Sequence, residues 1–387
     1  MLASSRRTGV SRRQKGAVGI ALAAALGAAG VAAPASGSEP HQRDSGRAVF
    51  VQTDNPNGNA VIAYDRALNG TLTRAGSYAT GGRGGVLEGS VVDHLASQGS
   101  LQLDRWHHTL YAVNAGSNTV TVFGVDGDQL HRRAIVPSGG AFPVSIALHG
   151  HLVYVLNARH GGSVQGFRRL NGGLAPIAGS KRWLGLDASA SPEFVNTPGQ
   201  VSFSPDGSHL LVTTKANGND VDVFAVRRNG SLSAARTVNN LPDAVPFAVV
   251  WDQFGRLVLA EAGTNSVATF RLSDNGVIHP IATRATGQAA TCWIVRSGDA
   301  VFASNAGSAT LSRYRVERRG RLTSLGTTGT DPGTVDAAVT VGGKFLYVQA
   351  GAAGQVDAFR VGSNGSLTPL GSVTVPHAAG GEGIAAW

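Results

Sequence analysis

The chain has 387 residues, 42% of them hydrophobic and 15% charged, with a formal charge of +9 and one cysteine, Cys292. A single cysteine excludes an intramolecular disulfide framework, so stability has to come from buried surface. Residues 1–35 hold five of the 33 basic residues and none of the 24 acidic ones, which leaves 28 against 24 beyond them. No run of Lys and Arg interleaved with aromatics remains there, and a nucleic-acid partner is not expected.

The chain opens on Arg6, Arg7, Arg12, Arg13 and Lys15, followed by an Ala- and Gly-rich apolar run over residues 16–33 and the small-residue site Ala33-Pro34-Ala35. This order is that of a secretory signal peptide over residues 1–35, and the expected destination is extracellular. The apolar run is barely long enough and too weakly hydrophobic for a span, so no membrane span is expected after processing. The paired arginines leave both the general and the twin-arginine export routes open. Residues 36–46 are polar and are expected to be a flexible entry segment.

From residue 47 to 387 one grammar repeats. Residues 110–130, LYAVNAGSNTVTVFGVDGDQL, read as strand, polar turn, strand, Gly turn and strand. Its second-strand element returns at Ala48, Leu152, Leu210, Leu257, Val301 and Phe345, with spacings of 47, 44 and 44 residues between the last four. Pairs such as Asn69-Gly70, Asp126-Gly127, Asn171-Gly172, Asn229-Gly230, Asn275-Gly276 and Asn364-Gly365 precede short apolar strands, and type I′ turns favour them. Seven such units predict an all-β, seven-bladed β-propeller. No inner strand precedes Val49, whereas Glu382-Gly383-Ile384-Ala385-Ala386-Trp387 has the pattern of one with nothing after it. The C-terminal strand should therefore close the first blade.

Two long connections, residues 79–98 and 181–198, each precede an inner strand, so both should rise from the face that carries the turns after the second strands. Loops on one face of a rigid scaffold are where binding or catalysis is sought. On that face Glu261 follows the strand residues Leu257-Val258-Leu259-Ala260, and Lys215, Asn217, Asp220, Arg159 and Asn265 stand in or beside the turns. A carboxylate at a strand end near the axis is the best general-base candidate, while most of the others read equally as turn residues satisfying backbone groups. No His and carboxylate spacing makes a metal motif, Ser204 lies in no Gly-x-Ser-x-Gly elbow, and Cys292 reads as a small buried residue. No metal or cofactor is expected. The partner is a small molecule, and the ring is expected to be a monomer.

The seven-blade count, the Ser204-Pro205-Asp206-Gly207 turn, the Asn-Gly-Ser-Leu hairpins and the terminal closure resemble the lactonase family of seven-bladed propellers. That family includes 6-phosphogluconolactonase and carboxymuconate lactonising enzymes. Stretches such as Ser97-Gln98-Gly99-Ser100-Leu101 and Ala289-Ala290-Thr291-Cys292-Trp293 resemble a secreted bacterial branch. The resemblance implies hydrolysis of a small lactone, or cycloisomerase-like chemistry, at the channel mouth. Where the hydrolases carry Pro-Arg-His, this chain reads Pro246-Phe247-Ala248, so the cation and the imidazole are both missing, and Glu261 is what survives of the following Asn-Glu pair. The family's acid and base set does not transfer as it stands; for lactone hydrolysis Glu261 is the candidate base and Lys215 or Arg159 the candidate carboxylate holder on the loop face. A non-catalytic extracellular binding propeller is the alternative.

Overall fold

Segments of two to nine residues, each too short to bury both its faces alone, fold here as antiparallel sheets that stack on one another. In the computed structural model, which describes residues 46–387, the sheets number seven and each carries an inner, a second, a third and an outer strand. Blade 2, the unit read above, runs Leu101–Asp104, Thr109–Asn114, Thr119–Asp126 and Gln129–Pro137. Its second strand is buried from end to end. Leu110 and Ala112 pack with Phe50 and Val61 of blade 1, while Tyr111 and Val113 pack with Val144 and Val153 of blade 3. Both faces are dry because a neighbouring sheet covers each, so the strand reads as a continuous apolar run. At roughly 1.5–3 kcal/mol per buried Val, Leu or Phe side chain, the second and third strands supply most of the folding energy. The outer strand alternates partly buried and exposed residues and belongs to the rim.

Closure follows the sequence expectation. The C-terminal strand Ile384–Ala386 pairs with the second strand of blade 1, Ala48–Gln52, in the register Val49↔Ala386, Phe50↔Ala385 and Val51↔Ile384. Neighbouring blades are tied by side chains as well. The Tyr154 hydroxyl donates to the Gly230 carbonyl at 2.6 Å and Tyr347 to that of Gly70 at 2.8 Å, each reaching the Gly turn of the next blade.

Two local expectations are corrected. The Asx-Gly turns are not type I′, because only the glycine has positive φ, as at Gly70 (+96°) and Gly230 (+81°). Ala67 N donates to Thr71 O and Gly70 N to Ala67 O, which is a type I turn completed by a left-handed glycine. The asparagine serves differently: Asn69 and Asn229 accept the backbone N–H two residues on. In blade 3 the outer strand is split between Gly173–Pro176 and Arg182–Trp183, so the second insertion begins only after Trp183. The expected leader, and the entry segment apart from Gly46, lie outside the described residues. Among the described residues no helix is long and apolar enough to cross a membrane.

Candidate functional site

Register fixes which loops share a face. The start of the inner strand Pro246–Trp251 pairs with the end of the second strand Leu257–Glu261, Pro246 opposite Glu261, so the turns after second strands and the connections into inner strands lie at one end of the ring. Both insertions are there, and the first does more than cover the mouth. Ser97 Oγ donates to Val144 O (2.8 Å), Gln98 N to Gly199 O (3.1 Å) and Trp293 Nε1 to Ser97 O (2.6 Å), while the Gln98 side-chain oxygen accepts Ile294 N (2.8 Å). On the remaining side Glu382 accepts Gly99 N at 2.9 Å. Residues 97–99 thus bond to blades 1, 3, 4 and 6 at once and lie across the axis as a plug. The glycine-rich start of this insertion is packed rather than free: a Cβ on Gly84 would stand 1.9 Å from the Asp54 carbonyl oxygen.

Beside the plug is a cavity of about 150 Å³ whose walls are almost entirely apolar, including Val92, Ala96, Phe194, Phe247 and Trp293. Its polar residues are Asp93, Lys215 and Cys292. Lys215 stands just past the second strand His209–Thr213 with φ +57°, which sends its chain inward, where it is buried. Its Nζ lies 2.7 Å from Ala96 O, 2.6 Å from Phe194 O and 3.3 Å from Thr197 Oγ1, so one amine clasps both insertions. Burial pulls the ammonium down to about 7, against the opposing pull of Asp93 and Cys292. Asp93 is pushed up by the same desolvation, although it accepts Leu95 N at 2.8 Å and Ser97 N at 2.9 Å. Burial also lifts the Cys292 thiol to about 12, which keeps it protonated and a poor nucleophile. A buried amine that titrates near neutrality beside an apolar cavity can accept a proton from water in its uncharged form and, once protonated, hold a newly formed carboxylate.

The other residues singled out by sequence are elsewhere. The Glu261 carboxylate accepts the hydroxyls of Ser266 and Thr264 across its own turn, the latter at 3.5 Å, and burial raises its pKa. It occupies the place that Asn305 fills in blade 6, where the amide bridges Thr310 and Ser312. Asn265 accepts Thr291 N at 3.1 Å, as Asn118 and Asn219 accept the backbone at the start of their next blades. Asp220 accepts the Asn240 amide. Asn217 donates to Asp187 O and Asn196 O, pinning the second insertion. Arg159 makes a two-pronged pair with Glu193 at 2.9 and 2.8 Å and lies 4.3 Å over the Phe142 ring. Lys215, Asp220 and Glu261 do not converge on one pocket.

What the sequence reading missed is the acid set under the plug. Asp54, Asp336 and Glu382 are buried around the axis, and desolvation raises all three, Asp54 to about 8. Glu382 N donates to Asp54 at 2.7 Å. The available signal was Glu382 itself, a carboxylate at the opening of the innermost strand. Among the described residues no group of three or more His, Cys, Asp or Glu is arranged to hold a metal ion.

No family model and no curated protein matches this chain. Solved structures do. A candidate 6-phosphogluconolactonase from Bacteroides fragilis superposes with a TM-score of 0.68 at 20% identity, covering 89% of this chain and 99% of that one. The periplasmic gluconolactonase of Pseudomonas aeruginosa gives 0.69 at 19%, covering 87% and 98%. A second candidate 6-phosphogluconolactonase, from Bacteroides uniformis, gives 0.71 at 19%, covering 86% and 97%. The ring has the fold of these lactonase-type propellers. In this ring the amine beside the axial cavity is Lys215, and the guanidinium expected on that face, Arg159, is committed to Glu193.

Proposed function

We propose that the protein is an exported lactonase-type propeller, working as a single ring, that hydrolyses a small, uncharged, largely apolar lactone in the cavity between the plug and blades 5 and 6. The observation that carries this reading is the pairing of apolar walls with one buried amine, Lys215, whose proton affinity is lowered to about 7. Apolar walls favour a neutral ester and penalise a phosphorylated sugar lactone, whose charge would be desolvated beside a single cation. Lys215 takes a proton from water as it attacks the lactone carbonyl, returns it to the departing ring oxygen, and remains beside the product carboxylate. Glu261 is too tightly held by its own turn for the base role its position suggested. The leader sequence supports export.

The test is proton release from a chain beginning at Ser36, with neutral alkyl lactones compared against 6-phosphogluconolactone. Neutral lactones should be opened, the phosphorylated one should not, and Lys215→Met should abolish turnover while Glu261→Gln leaves it intact. Loss of turnover in Glu261→Gln with Lys215→Met unaffected would overturn the assignment. A second reading, ligand binding without hydrolysis, is favoured by the three acceptors that already hold the Lys215 amine. Saturable calorimetric binding of a neutral lactone with no proton release would establish it.

A further inference from the structure

The end of the ring opposite the cavity carries the turns between inner and second strands and those between third and outer strands. Register places them together, since Leu152, at the start of its strand, pairs with both His149 and Arg168. In five of the seven blades such a turn holds a large apolar side chain out into solvent: Leu68 (76% exposed), Trp106 (92%), Leu170 (56%), Phe254 (50%) and Val341 (63%). Each has a cation close in sequence, although Arg66 and Arg105 donate to backbone carbonyls and Arg169 and Arg256 are paired with Asp104 and Asp252. Arg66 precedes Leu68, Arg105 precedes Trp106, Arg169 precedes Leu170 and Lys344 follows Val341, while the Arg256 guanidinium lies 4.9 Å over the Phe254 ring. Blades 4 and 6 lack the apolar tip but present Arg227-Arg228 and Arg318-Arg319, all four exposed and making no ion pair among the described residues.

The acids of this end do not cancel that charge. Asp104, Asp252, Asp299 and Glu317 are each occupied by an arginine. Asp65, Asp126, Asp128, Asp206 and Asp274, which make no ion pair, are outnumbered by unpaired cations that include the four arginines above, Lys344 and Arg360. An isolated apolar side chain on a surface needs no explanation. Apolar tips repeated around a ring, with the exposed Arg227-Arg228 and Arg318-Arg319 pairs and Lys344 among them, match the chemistry of a headgroup layer, which offers phosphate outside and acyl chain beneath. Trp106 in particular has the amphipathic ring that settles at that depth. A soluble polyanion would satisfy the arginines and leave Leu68, Leu170 and Val341 with nothing to bury against.

We propose that this turn face docks on the surface of an anionic phospholipid bilayer, without spanning it, and so holds the cavity face away from the membrane. The proposal is independent of what the cavity binds. The experiment is flotation of the chain beginning at Ser36, which contains every strand of the closed ring and lacks the apolar leader, with vesicles of phosphatidylcholine alone or mixed equally with phosphatidylglycerol. Binding is expected to the mixed vesicles only, with a blue shift of tryptophan fluorescence that Trp106→Phe removes. Replacing Arg227, Arg228, Arg318 and Arg319 by Gln should weaken partitioning about fivefold per charge. Leu68→Ser with Trp106→Ser should weaken it further while leaving the melting temperature unchanged, since these side chains are exposed. Absence of binding to the mixed vesicles overturns the proposal. So does binding to DNA or dextran sulfate that is as tight as to vesicles and indifferent to the Leu68 and Trp106 changes, which would make the face a polyanion surface.

Discussion

The two ends of the ring carry charge in opposite ways. At the insertion end Lys215, Asp54, Asp93, Asp336 and Glu382 are buried and bonded to backbone or to each other, so their hydrogen-bonding groups are spent inside the protein and burial works against their charge. At the turn end Arg227, Arg228, Arg318 and Arg319 are solvated and uncommitted. The difference separates two uses of an ionisable group. A buried one shapes the protein and must shift its pKa to remain there, whereas an exposed one keeps its charge for a partner. The same distinction disposes of most turn residues on the insertion face, whose side chains are already occupied.

The strongest way to break the contrast is to remove the part that holds the insertion end together. Deleting residues 382–387 takes away the inner strand of blade 1 and the Glu382 bonds to the plug, exposing the edge of the strand Ala48–Gln52. Cooperative thermal unfolding should vanish, as circular dichroism would show, and a melt within a few degrees of wild type would refute both closure and anchoring. Next in size is Trp293→Ala. This buried ring packs edge-on against Phe247 at 4.9 Å and donates to Ser97 O. Its loss should cost about 3–5 kcal/mol by the rule for large aromatic truncations, read from urea midpoints. Exposed Trp106→Ala should change the midpoint little.

Much of the fold could be read because it is local. A Gly turn such as Asn229-Gly230 and a run such as Leu110-Tyr111-Ala112-Val113 state their conformation within a few residues, and seven copies constrain one another. Even there the Asn-Gly pair does not fix the turn type, because it looks alike in a two-residue loop and in a three-residue loop until φ is known. The site was not local. Ser97 meets Trp293 across 196 residues of sequence and Glu382 across 285. Nothing in the periodicity of residues 93–99 announces a plug. One clue was available: Val92, Leu95, Phe194 and Val195 are too apolar for loops that stay in water. Lys215 was singled out for its face, but its burial follows from Ala96 and Phe194, one from each insertion. Glu261 was singled out for its chemistry and proves to be the blade 5 counterpart of an asparagine.

A smaller and more discriminating effect concerns pH. Asp54 has a folded pKa near 8, well above the unfolded value near 4, because burial disfavours its ionised form. In that window the folded state keeps a proton that the unfolded state has lost, so stability falls as pH rises from about 4 to about 8. Asp93, Asp336 and Glu382 are raised for the same reason and act in the same direction. Lys215, lowered to about 7, opposes them only above that pH. As pH falls from about 4 to about 2 the contribution of the depressed carboxylates, such as Asp206 at about 2, is progressively lost. The melting temperature should therefore peak near pH 4–5 and decline toward pH 8. Asp54→Asn, which cannot ionise, should flatten that decline.

The smallest effect should come from Glu261→Gln. The carboxylate receives hydroxyl donors from Ser266 and Thr264, both within its own turn, and a Gln carbonyl can accept them with the same reach. The loss is that of a charge-assisted bond relaxed to a neutral one, about 1 kcal/mol, partly offset by removing a buried ionisable group. A melting temperature within a few degrees of wild type, with lactone turnover unchanged, is the outcome expected of a turn residue. A large loss of turnover at unchanged stability would instead move the reacting centre out of the Lys215 cavity and into the blade 5 turn. That single result would reverse the assignment of structural and chemical roles on the insertion face.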